Sequence, residues 1–165
     1  MFYRKISRVL LCLALSSLCA NAESVIRHKT PGSDFPIAMA IEIPANATVV
    51  NLSGAVPTVI YANAAKGSLA AYGNTEEQTI SALKSIEKTL NSLGLGIGDV
   101  IKMQVFLVGD PKLSGKLDFD GFMKGYRQFF GTKEQPNLPT RSVVQVAALV
   151  STAWLIEIEV TAVRK

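Results

Sequence analysis

Apolar residues recur along this chain with two different periods, which separate predicted helices from predicted strands. Asn74 followed by Glu77 matches a helix-capping pattern, and apolar residues then repeat at three- to four-residue steps as far as Leu93. The glycines after Leu93 favour a helix end, because glycine readily adopts the left-handed conformation found there. A second helix is predicted over 118–130, where aromatic residues fall near one face.

Runs of β-branched and alternating apolar residues predict strands on both sides of these helices. They cover 37–43, 48–53, 100–108, 141–150 and 154–163, with one more short strand at 58–61. Pro44-Ala45-Asn46 is predicted to join the first two as a hairpin, and Ser151-Thr152 to form the turn between the last two. This order of elements predicts a two-layer α+β domain in which both helices cover one face of the sheet.

The opposite face of the sheet is predicted to lie against another subunit. Both faces of 141–150 are almost free of charge, and a large uncharged face is uncommon on the surface of a monomer. We therefore expect an oligomer.

The first 22 residues have the three-part pattern of a secretory signal. Three basic and no acidic residues precede or border an apolar core over 9–18, and Ala20-Asn21-Ala22 supplies the small residues that a signal peptidase reads. An uncleaved anchor is the alternative, but this core is shorter than the roughly 20 residues of a membrane span. Cleavage is predicted after Ala22, so we expect the protein in the periplasm or outside the cell. We expect a flexible lead-in over 23–35 and one domain over 36–165.

Removing the signal changes the charge and the chemistry of the chain. The whole sequence carries 17 basic and 13 acidic residues, and the signal takes three basic ones with it, which leaves a net charge of +1. Such a balance gives no support for a nucleic-acid partner. Both cysteines, Cys12 and Cys19, also leave, so we expect no disulfide, no thiolate nucleophile and no cysteine-based metal site.

The remaining inventory of reactive side chains is small. The single histidine, His28, lies in the lead-in and is expected to be solvated. One histidine, no cysteine and no acidic cluster exclude zinc sites and Ser–His–Asp triads. Gly94, Gly96 and Gly98 follow a predicted helix, whereas a dinucleotide-binding loop precedes one. The sequence therefore predicts neither a zinc site nor a dinucleotide-binding loop.

Charged residues in two apolar strands stand out by their position. Arg141 follows Pro139-Thr140 at the head of a strand, where a partly desolvated guanidinium offers a rigid fork for a carboxylate. Glu157 and Glu159 share one face of the last strand, where apolar surroundings favour a carboxylate that holds or activates a water molecule. The alternative is a structural ion pair between Arg141 and one of these glutamates on adjacent strands.

Three ordered segments resemble the Rid family (RidA/YjgF) of reactive intermediate deaminases. LPTRSVVQVAAL at 138–149 with LIEIEVTAV at 155–163 resembles the family's closing signature. LGIGDVIKMQVFLV at 95–108 resembles its central helix-to-strand segment, and NLSG at 51–54 its early Ser-Gly turn. The likeness covers about 36–165.

This resemblance implies a chorismate-mutase-like α+β sandwich with a mixed sheet, assembled as a homotrimer with ligand pockets between subunits. It also implies hydrolysis of enamines and imines to a ketoacid and ammonia, without a metal or cofactor. By motif position, Arg141 corresponds to the arginine that clamps the substrate carboxylate, and Glu157 to the glutamate that positions the hydrolytic water. Ser53 and Gly54 correspond to a turn whose backbone touches the substrate.

The chain departs from the family pattern at several pocket positions. RidA-type members place an aromatic hydroxyl after Gly-Pro, whereas this chain has Phe35-Pro36-Ile37. Met123 stands at the position of an asparagine, and Val143 at that of a cysteine. We expect Met123 and Val143 to line the pocket, where apolar replacements favour a different or bulkier substrate. Tyr126 and Tyr72 are the remaining candidates for a hydroxyl.

Three functions are left open. The first is an imine or enamine deaminase of altered specificity, supplied by amino-acid or amine oxidation outside the inner membrane. The second is a non-catalytic trimer that binds small carboxylates. Retained Arg141 and Glu157 favour the first, and the lost polar groups favour the second. The third, a nuclease role associated with the family, is disfavoured by the near-zero charge and by the lack of a basic stripe interleaved with aromatic residues.

Overall fold

The structure, a computed structural model, describes residues 24–164, so the predicted signal at 1–22 lies outside the described residues. The strands are β1 (Ile26–His28), β2 (Ala40–Glu42), β3 (Thr48–Asn51), β4 (Val100–Val108), β5 (Thr140–Val146) and β6 (Ile156–Arg164). The helices are α1 (Leu69–Tyr72), α2 (Thr75–Ser92) and α3 (Phe119–Tyr126), with short 3-10 turns at Ile97–Asp99 and Pro111–Leu113. No helix in this part of the chain is long and apolar enough to cross a membrane.

Helix α2 begins and ends where the sequence predicts. The Asn74 side chain accepts a hydrogen bond from the Glu77 N–H, and the Glu77 carboxylate accepts one from the Asn74 N–H, both at 2.9 Å. This reciprocal cap satisfies two amide groups that a helix start leaves free. Gly94 follows the helix with φ 72°, a conformation that glycine adopts without strain.

Strands β3, β6, β4 and β5 form one mixed sheet in that order, with β4 parallel to β5 and antiparallel to β6. In β4, Met103, Val105 and Leu107 are buried with the apolar residues of α2 and α3. We call this side of the sheet the helix face. Gln104 and Phe106 point to the other side, the open face, and are half-buried. The predicted α+β class, with two helices on one face of a mixed sheet, is confirmed.

The last two predicted strands form, but they are not neighbours. The chain leaves β4, passes through α3 and returns as β5, parallel to β4 and along one of its edges. Because β5 occupies that edge, β6 pairs with the other edge of β4. The alternative of an ion pair between Arg141 and Glu157 or Glu159 on adjacent strands is therefore wrong, since β4 lies between them.

The predicted hairpin between 37–43 and 48–53 is also wrong. The turn itself forms, with the Ala47 N–H donating to the Pro44 carbonyl at 3.1 Å. The strands on either side join different sheets, because β2 pairs with β1 and β3 pairs with β6. The expected flexible lead-in thus contains a strand, and residues 58–61 form none.

Arg27 fastens the β1–β2 hairpin to the larger sheet. Its Nη2 donates to the carbonyls of Gly98 and Val100, both at 3.0 Å. Burial lowers the pKa of Arg27, because desolvation disfavours its charged form. The Ala38 N–H donates to the Pro139 carbonyl at 2.9 Å. These contacts hold the segment around Phe35 against the start of β5.

Candidate active site

The Arg141 side chain lies on the helix face, because Arg141 is opposite the buried Met103 in the register of β5 and β4. Its guanidinium carbon is 4.2 Å from the centroid of the Tyr126 ring, 5.0 Å from that of Phe122 and 5.5 Å from that of Phe35. These distances fit cation–π contacts with all three rings. The cation is thus held by aromatic faces.

The Arg141 guanidinium has unused hydrogen-bonding capacity. Its Nη2 contacts the Met123 sulfur at 3.3 Å, and its Nη1 is buried without a hydrogen-bond partner. Within residues 24–164 the one pair of side chains at salt-bridge distance is His28 and Glu42, so Arg141 faces no carboxylate there. Burial lowers the pKa of Arg141, because desolvation disfavours its charged form, yet arginine stays protonated in proteins. The result is a partly desolvated cation with a donor free for an anion.

Two predicted pocket residues, Met123 and Val143, lie beside this cation. Met123 is buried on α3 and touches the guanidinium through its sulfur. Val143 follows Arg141 by two residues on β5 and therefore shares its face of the sheet. Their side chains offer no strong donor or acceptor, so the structure groups Arg141 with an apolar lining.

The Tyr126 hydroxyl does not face an open pocket. It is buried and donates to the Pro36 carbonyl at 2.9 Å, and burial raises the pKa of Tyr126 to about 12. Tyr72, the other candidate, lies half-buried at the end of α1. Tyr126 therefore serves as a cation–π partner of Arg141 and as an anchor for Pro36.

The other predicted site residues form a second group on the open face. Ala55 and Ile158 exchange two backbone hydrogen bonds, at 2.8 and 3.0 Å, which bring Gly54 alongside Glu157. A methyl group at position 54 would overlap the Glu157 carboxylate. Alanine at this position would therefore require the Glu157 side chain to shift. Ser53 is exposed and Glu157 half-buried, so the carboxylate lies at the surface of the chain.

The two groups lie on opposite faces of one sheet. Arg141 is level with Val160 across β4, and Glu157 is three residues further along β6. Strand spacing of about 4.8 Å and a rise of about 3.3 Å per residue place the Arg141 and Glu157 backbones roughly 14 Å apart. Within one chain, no small ligand touches both side chains.

His28 lies in a strand and not in a flexible tail, but its side chain is 40% exposed, as expected for a solvated residue. Its Nε2 is 2.6 Å from the Glu42 carboxylate, across the β1–β2 pair. In the chain from 24 to 164, no three His, Cys, Asp or Glu side chains come close enough together to hold a metal ion.

Sequence reasoning did not find the contact of Phe35 with Arg141. The two residues are far apart in the chain, and no local period links them. The apolar spacing of Phe122 and Tyr126 placed both rings on one side of α3, but the register that sets Arg141 against that side is a tertiary feature. At position 35 the sequence offered only the departure of Phe35-Pro36-Ile37 from the family pattern.

A family model described as Endoribonuclease L-PSP matches residues 35–164, which is most of the chain. The protein is a member of the Rid (RidA/YjgF) family. The resemblance seen in the three sequence segments is therefore confirmed.

Relatives and solved structures agree with this assignment. The chain is 32% identical over 137 residues to an Escherichia coli protein with the provisional name reactive intermediate deaminase TdcF, covering 83% of this chain and 93% of the relative. It is 32% identical over 138 residues to a RutC family protein of Haemophilus influenzae, covering 84% of this chain and 94% of that relative.

Two crystal structures of the family share the fold. The structure of Escherichia coli TdcF with bound serine gives a TM-score of 0.55 at 28% identity, covering 87% of this chain and 99% of that chain. The Rid protein YyfB of Yersinia pestis gives a TM-score of 0.62 at 21% identity, covering 84% of this chain and 96% of that chain. At 21% identity, the likeness to YyfB concerns the fold alone.

Proposed function

We propose that this protein hydrolyses imines or enamines that carry a carboxylate, giving a ketoacid and ammonia. The observation that carries the proposal is the Arg141 guanidinium, whose Nη1 is buried and unpartnered and which faces no carboxylate among the described residues. A desolvated cation without a counter-ion is unfavourable, and a bound carboxylate would supply both charge and hydrogen bonds. The name of the TdcF relative supports the reaction class.

The reaction needs a clamp for the carboxylate, a water molecule and a group that accepts and returns a proton. We assign the clamp to Arg141 and the proton transfer to Glu157. Water adds to the imine carbon as Glu157 accepts one of its protons. Glu157 passes this proton to the imine nitrogen, which gives a carbinolamine. The hydroxyl proton of the carbinolamine is then transferred to the nitrogen in the same way as the C–N bond breaks, so that ammonia leaves and the C–O bond becomes the ketone. An enamine first takes a proton on carbon and so becomes the imine.

One chain cannot supply both groups to one substrate. The carboxylate carbon of an imino acid is bonded directly to the imine carbon, at about 1.5 Å. Arg141 and Glu157 lie on opposite faces of the sheet, so the site requires Arg141 from one copy and Glu157 from another. We therefore propose that the protein is a homotrimer with its sites between subunits. Ser53 and Gly54 would line the Glu157 side of each site, and Met123 and Val143 the Arg141 side.

A homotrimer is tested by multi-angle light scattering of the purified protein. We expect one species with three times the chain mass. A monomer at assay concentration would contradict the shared site.

A second candidate function is binding of small carboxylates without turnover. The apolar lining favours it, because Met123 and Val143 leave the clamp without a polar neighbour on the same side. The two functions differ in their need for Glu157: catalysis requires it for rate, whereas binding requires only Arg141. We do not propose a nuclease, since the net charge of +1 predicted after signal removal gives no electrostatic support for nucleic-acid binding.

We propose that the protein acts in the periplasm or outside the cell, as the sequence of residues 1–22 predicts. Its substrates would then come from oxidation of amino acids or amines there. Fractionation of cells, with an N-terminal sequence that begins at Glu23, tests this location.

The test of function compares wild type with Arg141→Ala and Glu157→Gln. An amino-acid oxidase generates imines in situ from a panel of amino acids, and semicarbazide competes for them while ketoacid release is followed. We expect Arg141→Ala to lower kcat/KM by roughly 10- to 150-fold, because a charge-assisted hydrogen bond is lost. We expect Glu157→Gln to lower the rate by roughly 10²- to 10⁴-fold, as for loss of a general base.

Two matched variants control for charge and position. Lys124→Ala removes an exposed cation in the last turn of α3, and Glu159→Gln removes an exposed carboxylate on the same strand and face as Glu157. Both should retain the wild-type rate. If wild type does not accelerate release for any amino acid of the panel, the deaminase proposal is wrong. If Arg141-dependent carboxylate binding then persists, the second function is favoured.

A further inference from the structure

One of the aromatic rings around the Arg141 guanidinium borders solvent. Of the three rings around it, those of Phe122 and Tyr126 belong to α3 and are fully buried. Phe35 is 43% exposed and comes from the loop before β2. The remaining neighbour, Met123, is buried on α3 as well. Phe35 is thus the one neighbour of the guanidinium that borders solvent among these four.

The backbone that carries Phe35 is anchored on both sides of the ring. The Phe35 N–H donates to the Ser33 hydroxyl at 3.2 Å, and the Ile37 N–H donates to the Phe35 carbonyl at 2.8 Å. The Pro36 carbonyl accepts from the Tyr126 hydroxyl at 2.9 Å. The ring itself is 43% exposed, so a change of its side-chain torsions would turn it toward solvent while the loop stays in place.

A carboxylate can reach the buried Nη1 of Arg141 only if a neighbour gives way, and the ring of Phe35 is the neighbour that can. A ring turned aside from the guanidinium would still lie at the edge of the site, because its backbone stays anchored. There it forms an apolar wall for whatever group the carboxylate carries. A polar group on the ligand would be left unpaired against this wall, which is unfavourable.

We propose that Phe35 is a specificity-determining residue, which covers Arg141 in the empty site and packs against the ligand in the occupied one. It selects carboxylates that bear a bulky apolar side chain over small or polar ones. This inference rests on the proposed role of Arg141 as a carboxylate clamp, but not on turnover. Its test is therefore a binding measurement.

The experiment is an NMR titration of the isotope-labelled protein with acetate and, separately, with 4-methylpentanoate. Variants are Phe35→Ala, Phe35→Leu, Arg141→Ala and, as a control, Leu113→Ala, which shortens an exposed apolar residue in the turn after β4. We expect Phe35→Ala to bind acetate roughly 2- to 5-fold more tightly, because the carboxylate no longer competes with the ring for the cation. We expect the preference of Phe35→Ala for 4-methylpentanoate over acetate to fall roughly 10-fold, because the lost contact corresponds to about two methylene groups.

Phe35→Leu separates the two roles of the ring. It removes the aromatic face and keeps apolar bulk, so acetate should bind as in Phe35→Ala while most of the preference for 4-methylpentanoate remains. Leu113→Ala should match wild type. If Phe35→Ala leaves both the acetate affinity and the preference unchanged while Arg141→Ala abolishes binding, the role of Phe35 is wrong and the clamp stands. If no carboxylate binds in an Arg141-dependent way, both are wrong.

Discussion

The buried hydroxyl of Tyr126 offers a sharp test of how the site is built. Tyr126→Phe removes only the oxygen that donates to the Pro36 carbonyl at 2.9 Å. Because Pro36 is buried, its carbonyl is left without that donor and without ready access to water. We expect a loss of about 1–2 kcal/mol in the free energy of unfolding at pH 8.

The same oxygen gives this loss a dependence on pH. The pKa of Tyr126 is raised to about 12 in the folded protein, against about 10 in an unfolded chain. Below pH 10 the hydroxyl is neutral in both states, so its contribution is fully present. Between pH 10 and 12 the unfolded state releases the proton first, and stability therefore falls as the pH rises. At pH 11 wild type has lost about 1.4 kcal/mol through this side chain, a loss that phenylalanine cannot show.

Urea denaturation of wild type and Tyr126→Phe at pH 8 and pH 11 measures both effects. The other titrating groups are common to the two proteins, so their contributions cancel in the difference. We expect a gap of about 1–2 kcal/mol at pH 8 that nearly closes at pH 11. An equal gap at both pH values would show that the raised pKa is wrong. No gap at pH 8 would show that the bond to Pro36 does not stabilise the fold. Tyr72→Phe is the matched control at pH 8.

Two further substitutions test other contacts of the site and the fold. Gly54→Ala introduces a methyl group that overlaps the Glu157 carboxylate, so we expect the free energy of unfolding in urea to fall by about 1–3 kcal/mol. Adding Glu157→Ala in the same chain should relieve that loss. Additive losses would contradict the contact. Asn74→Ala removes the cap of α2, and we expect a loss of about 1 kcal/mol in the same measurement; a change below a few tenths would mean that the cap is not stabilising.

The elements with a strong local period could be predicted from the sequence. The cap at Asn74, the apolar stripe of α2 and the alternation along β4 are set by neighbours within a few residues, and the structure has all of them. The family could be recognised for a related reason, since its motifs are contiguous runs. Arg141 and Glu157 could be singled out because charges are rare inside apolar strands.

Strand order and face could not be predicted in the same way. The segment containing β5 and that containing β6 looked like adjacent strands because they are consecutive in the chain. Pairing is decided instead by the edges of β4. The chain returns through α3 to place β5 in parallel along one edge, and β6 pairs with the edge that remains. That edge choice placed Arg141 and Glu157 two strands apart and on opposite faces, which local sequence does not encode.

By itself, the sequence determined the α+β class, the family, the cap of α2 and the presence of an arginine and a glutamate in apolar strands. Only the tertiary structure decided that Arg141 lies among three aromatic rings with an unpartnered Nη1. The same is true of the Tyr126 hydroxyl, which is committed to Pro36. The physical reason is that local propensity depends on residues a few positions apart, whereas a partly desolvated cation and its cover are brought together by packing across the whole chain.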